Sequence, residues 1–314
     1  MKHTLFVGVS GGFLALAGLA FAQSAISAKS GMVNYVEGKV LLDGKPVEMK
    51  FGVFPQMKNE SQLRTEEGRA EILLSPGAFI RVAENSGVKM VSDRLTDTRL
   101  EFLSGSAVVE CAELAKDEAL TITYKDATIS LLRNGFYRFD SDPAQLKVYD
   151  GEASVTRAGT TQTVRHSHLL PLEGPAVAAK FDDQAGDSLT SWARRRSEYV
   201  ATANISAARE AGRYGSGWAS GGWAWSPYFG MYTYVPMDGF YSNYWGYRFW
   251  SPSDVYSIYP PSHGGWSGPG YSSANVQSAT GSAVGQALGG VGGGSSPSMS
   301  GSGGSTRTGT SRRP

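Results

Sequence analysis

The chain has 314 residues, with 29 Lys and Arg against 28 Asp and Glu. Such a balance lacks the strong positive excess of a polyanion-binding protein, so nucleic acid is not an expected partner. A single cysteine, Cys111, excludes an intrachain disulfide framework and leaves an apolar core to supply stability.

Residues 1–22 read as a cleavable signal peptide. Lys2 and His3 precede an apolar run from Leu5 to Ala22 that ends in the small-x-small step Ala20-Phe21-Ala22. The alternative is an uncleaved anchor helix, weakened by glycines at 8, 11, 12 and 18. Export to the periplasm or secretion follows. No later segment is long and apolar enough to span a membrane.

Residues 31–172 alternate apolar and polar residues, the period of half-buried strands. Strands are expected at 32–37, 39–42, 69–74, 78–82, 88–91, 99–103, 106–111, 119–124, 127–132, 136–140, 145–149 and 152–156. Turn chemistry separates them at Asp43-Gly44, Ser75-Pro76-Gly77, Asn85-Ser86-Gly87, Asn134-Gly135 and Asp150-Gly151. With no intervening long helices, the pattern predicts a mainly β fold, an antiparallel meander, β-sandwich or β-roll. Cys111 follows Ala107 and Val109 at strand spacing and is expected to face the core as an inert thiol.

One pattern recurs. Val33-x-Tyr35-x-x-Gly38-x-Val40-x-Leu42 matches Leu100-x-Phe102-x-x-Gly105-x-Ala107-x-Val109 and Leu146-x-Val148-x-x-Gly151-x-Ala153-x-Val155. Each copy reads as a hairpin-like unit with its glycine at a turn or bulge. These units, together with Arg64-Thr-Glu-Glu-Gly68-Arg-Ala-Glu-Ile-Leu-Leu74, resemble the FecR-type periplasmic domain over roughly residues 31–160. Where that family carries Gly-Thr-x-Phe, this chain has Asn134-Gly135-Phe136-Tyr137. The resemblance implies a non-catalytic domain that meets envelope partners, as in the family's transmembrane sigma-factor regulators. Those regulators carry a cytoplasmic segment before the membrane, which this sequence lacks, so direct sigma-factor control is not expected here.

Residues 182–211 hold one expected helix, Ser188 to Ala211, capped by Asp187 or Ser188 and stopped by Gly212. Leu189, Trp192, Tyr199, Ala203 and Ser206 form its apolar stripe, with Arg196 placed to cover the Trp192 indole. Arg194, Arg195 and Arg196 offer either a solvated face or a basic surface for an acidic partner.

Residues 212–271 form a Gly/aromatic/Pro segment with a local duplication. Tyr228-Phe-Gly-Met-Tyr-Thr-Tyr234-Val-Pro236 resembles Tyr244-Trp-Gly-Tyr-Arg-Phe-Trp250-Ser-Pro252. Its rings either extend the core, bind a polysaccharide or partner protein, or act as spacer. Trp223, Trp225, Tyr228, Tyr232, Trp245 and Trp250, with Arg194 and Arg195, are the candidate interaction surface. Residues 272–314, rich in Gly and Ser, are expected to be disordered.

Catalytic templates fail. Ser86-Gly-Val-Lys89 has Ser-x-x-Lys spacing but enters a strand, not a helix. His166 and His168 would share a strand face, with Glu173 alone nearby, too few ligands for a metal. Asp182-Asp183 and Glu66-Glu67 are adjacent pairs without acid/base geometry. The sequence therefore predicts no catalytic, cofactor or metal site. It points to an exported envelope protein acting through protein interaction, scaffolding or sensing, with polysaccharide binding as the alternative.

Overall fold

A computed structural model describes residues 29–213 and 221–260. The expected signal peptide and the Gly/Ser-rich tail lie outside these residues.

The β region comprises β1 Met32–Leu42, β2 Lys45–Pro46, β3 Gln62–Leu73, β4 Ala78–Val82, β5 Gly87–Arg94, β6 Asp97–Ser104 and β7 Ser106–Cys111. It continues through β8 Ala119–Tyr124, β9 Ala127–Leu131, β10 Gly135–Ser141, β11 Ala144–Asp150, β12 Glu152–Arg157, β13 Thr160–Arg165, β14 His168–Pro171 and β15 Ala179–Lys180. The helix α1 follows at Ser188–Arg213. Two short hairpins come next, β16 Gly222–Ser226 with β17 Met231–Val235 and β18 Phe240–Ser242 with β19 Arg248–Trp250. A final turn of helix is α2, Val255–Ile258.

The strands pair in the order β13-β12-β9-β8-β6-β5-β3-β4-β7-β10-β11-β14-β15. All described pairs are antiparallel except β6 with β8. The long strand β3 hinges this ribbon. Its start pairs with β5 (Gln62↔Lys89), and its end pairs with β4 (Leu73↔Phe79). β1 follows β3 along both halves and shifts register between Gly38 and Val40, beside the Gly38↔Gly68 pair. The ribbon thus folds into two layers. Ile72, Ile80, Val109 and Val148 of one layer share a core with Val88, Leu100, Ile122, Ile129 and Val155 of the other. Mainly β architecture with one main helix is the outcome, as the alternation predicts.

The first copy of the glycine motif holds Gly38 at the register shift within β1, as the bulge expectation has it, but the other two copies differ from the expected hairpin. β6 pairs with β5 and β8, whereas β7 pairs with β4 and β10, so Gly105 carries the chain from one layer to the other. Gly151 does the same between β11 and β12. Both have positive φ, 80° and 95°, and a Cβ would collide with Ser86 at the first and Tyr137 at the second. Glycine permits the corner. Of the five turn signals, Asp43-Gly44 and Ser75-Pro76-Gly77 close hairpins, and the other three lead into or out of layer crossings.

The cap of α1 is Asp187. Its Oδ1 accepts the Thr190 N–H at 2.9 Å, and its own N–H donates to Thr190 Oγ1 at 2.8 Å, a reciprocal capping box. The helix runs past the predicted stop at Gly212, where a bare Cα lets Tyr256 and Pro252 approach. Its buried face includes Leu189, Trp192, Arg196, Ser197, Val200, Ala203, Asn204 and Ala207. Tyr199 is not part of that face and is 57% exposed. The sequence stripe counted Tyr199 as apolar and did not include Ser197 and Asn204. Their hydrogen bonds to Glu110 and to the Tyr234 and Trp250 carbonyls make burial tolerable.

Both copies of the aromatic duplication fold alike. Phe229-Gly230 and Trp245-Gly246 lie in turns with glycine φ of 61° and 81°, and β17 and β19 are the return strands. The hairpins and α1 together cover the outer face of the layer containing β4 and β7, where Leu73 and Phe79 meet Val200, Trp223, Tyr234 and Phe249.

Candidate interaction surfaces

The outer face of that layer carries charge where alternation alone would put solvent. Glu71 on β3, Arg81 on β4 and Glu110 on β7 project from it, and all three are buried. Arg81 Nε donates to Glu71 Oε2 at 2.8 Å, and its Nη1 donates to Glu110. Arg196 comes down from α1 to donate to Glu71 Oε1 at 2.9 Å. Asn34 donates to the same oxygen, while Ser197 and Asn243 donate to Glu110. Two acids thus meet two arginines, and Asn34, Ser197 and Asn243 add hydrogen bonds to the carboxylates, while Arg81 Nη2 and Arg196 Nε are buried without a hydrogen-bond partner. Burial pushes the Glu71 carboxyl up, but Arg196 and Arg81 outweigh it and hold the pKa at about 2.

This network corrects the expected place of Arg196. Its guanidinium lies 3.9 Å from the Tyr35 ring centroid, and Arg69, not Arg196, sits over Trp192. Glu71 pulls Arg196 into the interface and away from the indole. Sequence reading missed Glu71, Arg81 and Glu110 as a unit. The available signal was Leu73, Phe79 and Val108, large apolar neighbours on the same strand faces, which mark that face as covered.

The predicted aromatic surface divides. Trp223 is 1% exposed, meets Phe79 edge to face at 5.0 Å and donates from Nε1 to the Leu74 carbonyl. Trp250 is buried with Val235 and Ala207, and Trp245 packs on Phe136 at 4.6 Å. None of these three presents an open platform. Trp225 and Tyr232 do come together, 5.5 Å apart on the β16–β17 hairpin and beside Phe51 and Phe54 of the loop between β2 and β3, while Tyr228 stands exposed in the turn that joins the two strands. Arg194 and Arg195 are exposed on α1, outside this group.

A second surface lies at the end of the ribbon. β13 pairs with β12 alone, leaving its other edge open among the described residues. Natural edges are blunted by short strands, Lys or Pro. β2 is two residues, Lys45–Pro46, and β15 is two residues ending in Lys180. β13, Thr160-Thr161-Gln162-Thr163-Val164-Arg165, is six residues long, mostly β-branched, without Pro or Lys. A groove flanks each end. Thr160 and Gln162 line one of about 230 Å³ with Val155, Leu170 and Leu172. Arg165 lines an open one of about 870 Å³ with Arg133, Asp150, Glu152 and His166. There Arg133 and Arg165 share the Glu152 carboxylate at 3.5 and 3.7 Å, leaving guanidinium donors toward the groove.

The remaining polar candidates form no reaction centre. Ser86 Oγ donates to the Glu84 carbonyl, while Lys89 is paired with Glu60 at 2.6 Å. His166 and His168 flank a turn at Ser167, φ 58°, and do not share a strand face. The positive φ rotates the chain between β13 and β14. Among the described residues no three His, Cys, Asp or Glu side chains converge as a metal site.

Residues 61–154 match the family model described as FecR protein. No curated protein is significantly similar to the chain in sequence. Two crystal structures of a candidate anti-sigma factor from Parabacteroides distasonis ATCC 8503 are similar at 12% and 11% identity, with TM-scores of 0.35 and 0.36. The matches cover 41% and 42% of this chain, and 62% and 64% of those proteins. The chain therefore spans less than two thirds of the length of the solved structures it matches.

Proposed function

We propose that this chain, which carries a FecR-type domain, is an exported, non-enzymatic cell-envelope protein that binds another protein by strand addition along β13. The observation that carries the reading is the open β13 edge with a groove at either end. A row of unpaired peptide N–H and C=O groups is complemented only by another extended polypeptide, whose alternate side chains then enter flanking pockets. That chemistry favours a protein partner over a polysaccharide, which has no matching ladder of donors and acceptors. The exposed Arg133 and Arg165 guanidiniums suit an acidic residue at one end of the incoming strand. The non-enzymatic reading is supported by Glu71, Arg81, Glu110 and Arg196, the buried charged cluster, whose carboxylates are paired with its arginines under α1 and which line neither groove.

A photo-crosslinking residue placed at Thr161 in the intact cell tests this. A protease-sensitive adduct at Thr161 is expected, absent when the crosslinker sits at Tyr199 and lost when Thr163→Lys charges the edge. No adduct at Thr161, or one removed by glycosidases and not by protease, defeats the reading.

A further inference from the structure

Two of the most exposed large apolar side chains among the described residues occupy neighbouring turns. Tyr228 is 89% exposed between β16 and β17, where Phe229 and Gly230 N–H both donate to the Ser226 carbonyl. Phe51 is 78% exposed at the tip of the turn Lys50–Val53, closed by Val53 N–H to the Lys50 carbonyl at 2.9 Å. Gly52 supplies the positive φ, 75°, that a type II turn needs at its third position. Phe51 packs beside Gly230, so the turns touch. Val53, 59% exposed, adds to the same tip.

Below the tip the rings are braced. Trp225 meets Phe51 at 5.6 Å and Phe54 at 5.4 Å, and Phe54 meets Tyr232 at 5.1 Å. The rings thus stand on a firm base and project outward. The charge pattern adds to the case. Residues 45–58 hold Lys45, Lys50 and Lys58 against Glu48, and residues 222–235 hold no charged residue. Aromatic rings flanked by lysines match a lipid interface, where ring bodies enter the acyl boundary and ammonium groups reach anionic headgroups.

We infer that the Phe51–Tyr228 tip docks peripherally onto an anionic lipid surface, with Phe51, Val53 and Tyr228 entering the interface and Lys50 and Lys58 meeting the headgroups. This role is separate from the β13 edge and stands or falls independently of it.

The test uses the full chain carrying Val53→Cys labelled with an environment-sensitive fluorophore, and a second chain labelled at Tyr199→Cys. Cys111 is buried and does not compete for label. Vesicles of phosphatidylglycerol and phosphatidylethanolamine are expected to shift the position-53 emission to the blue and leave position 199 unchanged. Phe51→Ala with Tyr228→Ala should weaken the lipid affinity at least tenfold. Lys50→Gln with Lys58→Gln should weaken it several-fold, as added salt does. Thermal melts confirm that these exposed substitutions leave the fold intact. No shift at position 53, equal shifts at 53 and 199, or a shift that survives loss of both rings overturns the inference. So does a response at position 53 to a soluble protein or polysaccharide and none to vesicles.

Discussion

The side-chain amide of Asn34 grips both peptide groups of Tyr232, accepting its N–H at 2.9 Å and donating to its carbonyl at 3.0 Å. An asparagine on β1 thereby acts as one rung of a strand for β17. The same Nδ2 also donates to Glu71 at 3.0 Å, so the aromatic hairpin and the buried ion network share an anchor. Asn34→Leu should cost roughly 1–3 kcal/mol, because it leaves buried polar groups unpaired. Urea unfolding measures that loss. Amide exchange at residues 222–235 should rise more than exchange in β7, and equal changes in both would mean that Asn34 does not hold the hairpin in particular.

Glu71 makes stability depend on pH in a defined window. Its folded pKa of about 2 lies below the ordinary 4.5, with burial opposing and the two arginines prevailing. The unfolded chain therefore binds this proton first. The stabilisation is complete above about pH 4.5 and is lost as pH falls through 2. At about 1.4 kcal/mol per pH unit, the interval is worth roughly 3 kcal/mol. Glu71→Gln should flatten that part of the acid limb, yet lower stability at pH 7 by roughly 3–5 kcal/mol by leaving buried arginine charge unbalanced. Urea midpoints of both proteins from pH 7 to 2 give the comparison. Parallel curves would remove Glu71 as the titrating group.

Cys111 should be a silent thiol. Burial pushes its pKa up, and Glu118, Glu110 and Glu113 add to the rise. Since the thiolate is the reactive form, maleimide labelling of the native chain should be slow at neutral pH and should track global unfolding as urea is added. Rapid native labelling would place the thiol at the surface.

The two-layer β region was legible because period-two alternation is a local signal, and Ala107, Val109 and Cys111 obey it. Layer order was not. Asp43-Gly44 and Asn134-Gly135 look alike as turn dipeptides, yet the first closes a hairpin and the second leads into β10 in the other layer. Which partner a strand finds after a turn is decided by contacts distant in sequence. Glu71 and Arg81 were missed for a related reason, since their faces are covered only by α1 and the hairpins, more than a hundred residues later. At the proposed interaction sites, Trp225, Tyr228 and Tyr232 were among the candidates that composition named. Phe51 and Phe54 were not, because single aromatics in a polar loop carry no periodic mark. The β13 edge was missed because a strand's openness belongs to the whole sheet.

Trp223 and Tyr228 lie five residues apart and should separate core from surface. Trp223 is almost wholly buried between Phe79 and Tyr234. Trp223→Ala removes a large ring from a packed site, which costs roughly 3–5 kcal/mol through lost transfer energy and the cavity left behind. Tyr228 stands in solvent at its turn, and Tyr228→Ala should change stability by no more than about 0.5 kcal/mol. Urea denaturation of both variants decides the matter. If Trp223→Ala were as stable as the parent, the aromatic hairpins would not be part of the folded core, and the surface assigned to Phe51 and Tyr228 would lose its base. If Tyr228→Ala were strongly destabilised, its ring would be serving the fold and would not be free to meet a lipid surface.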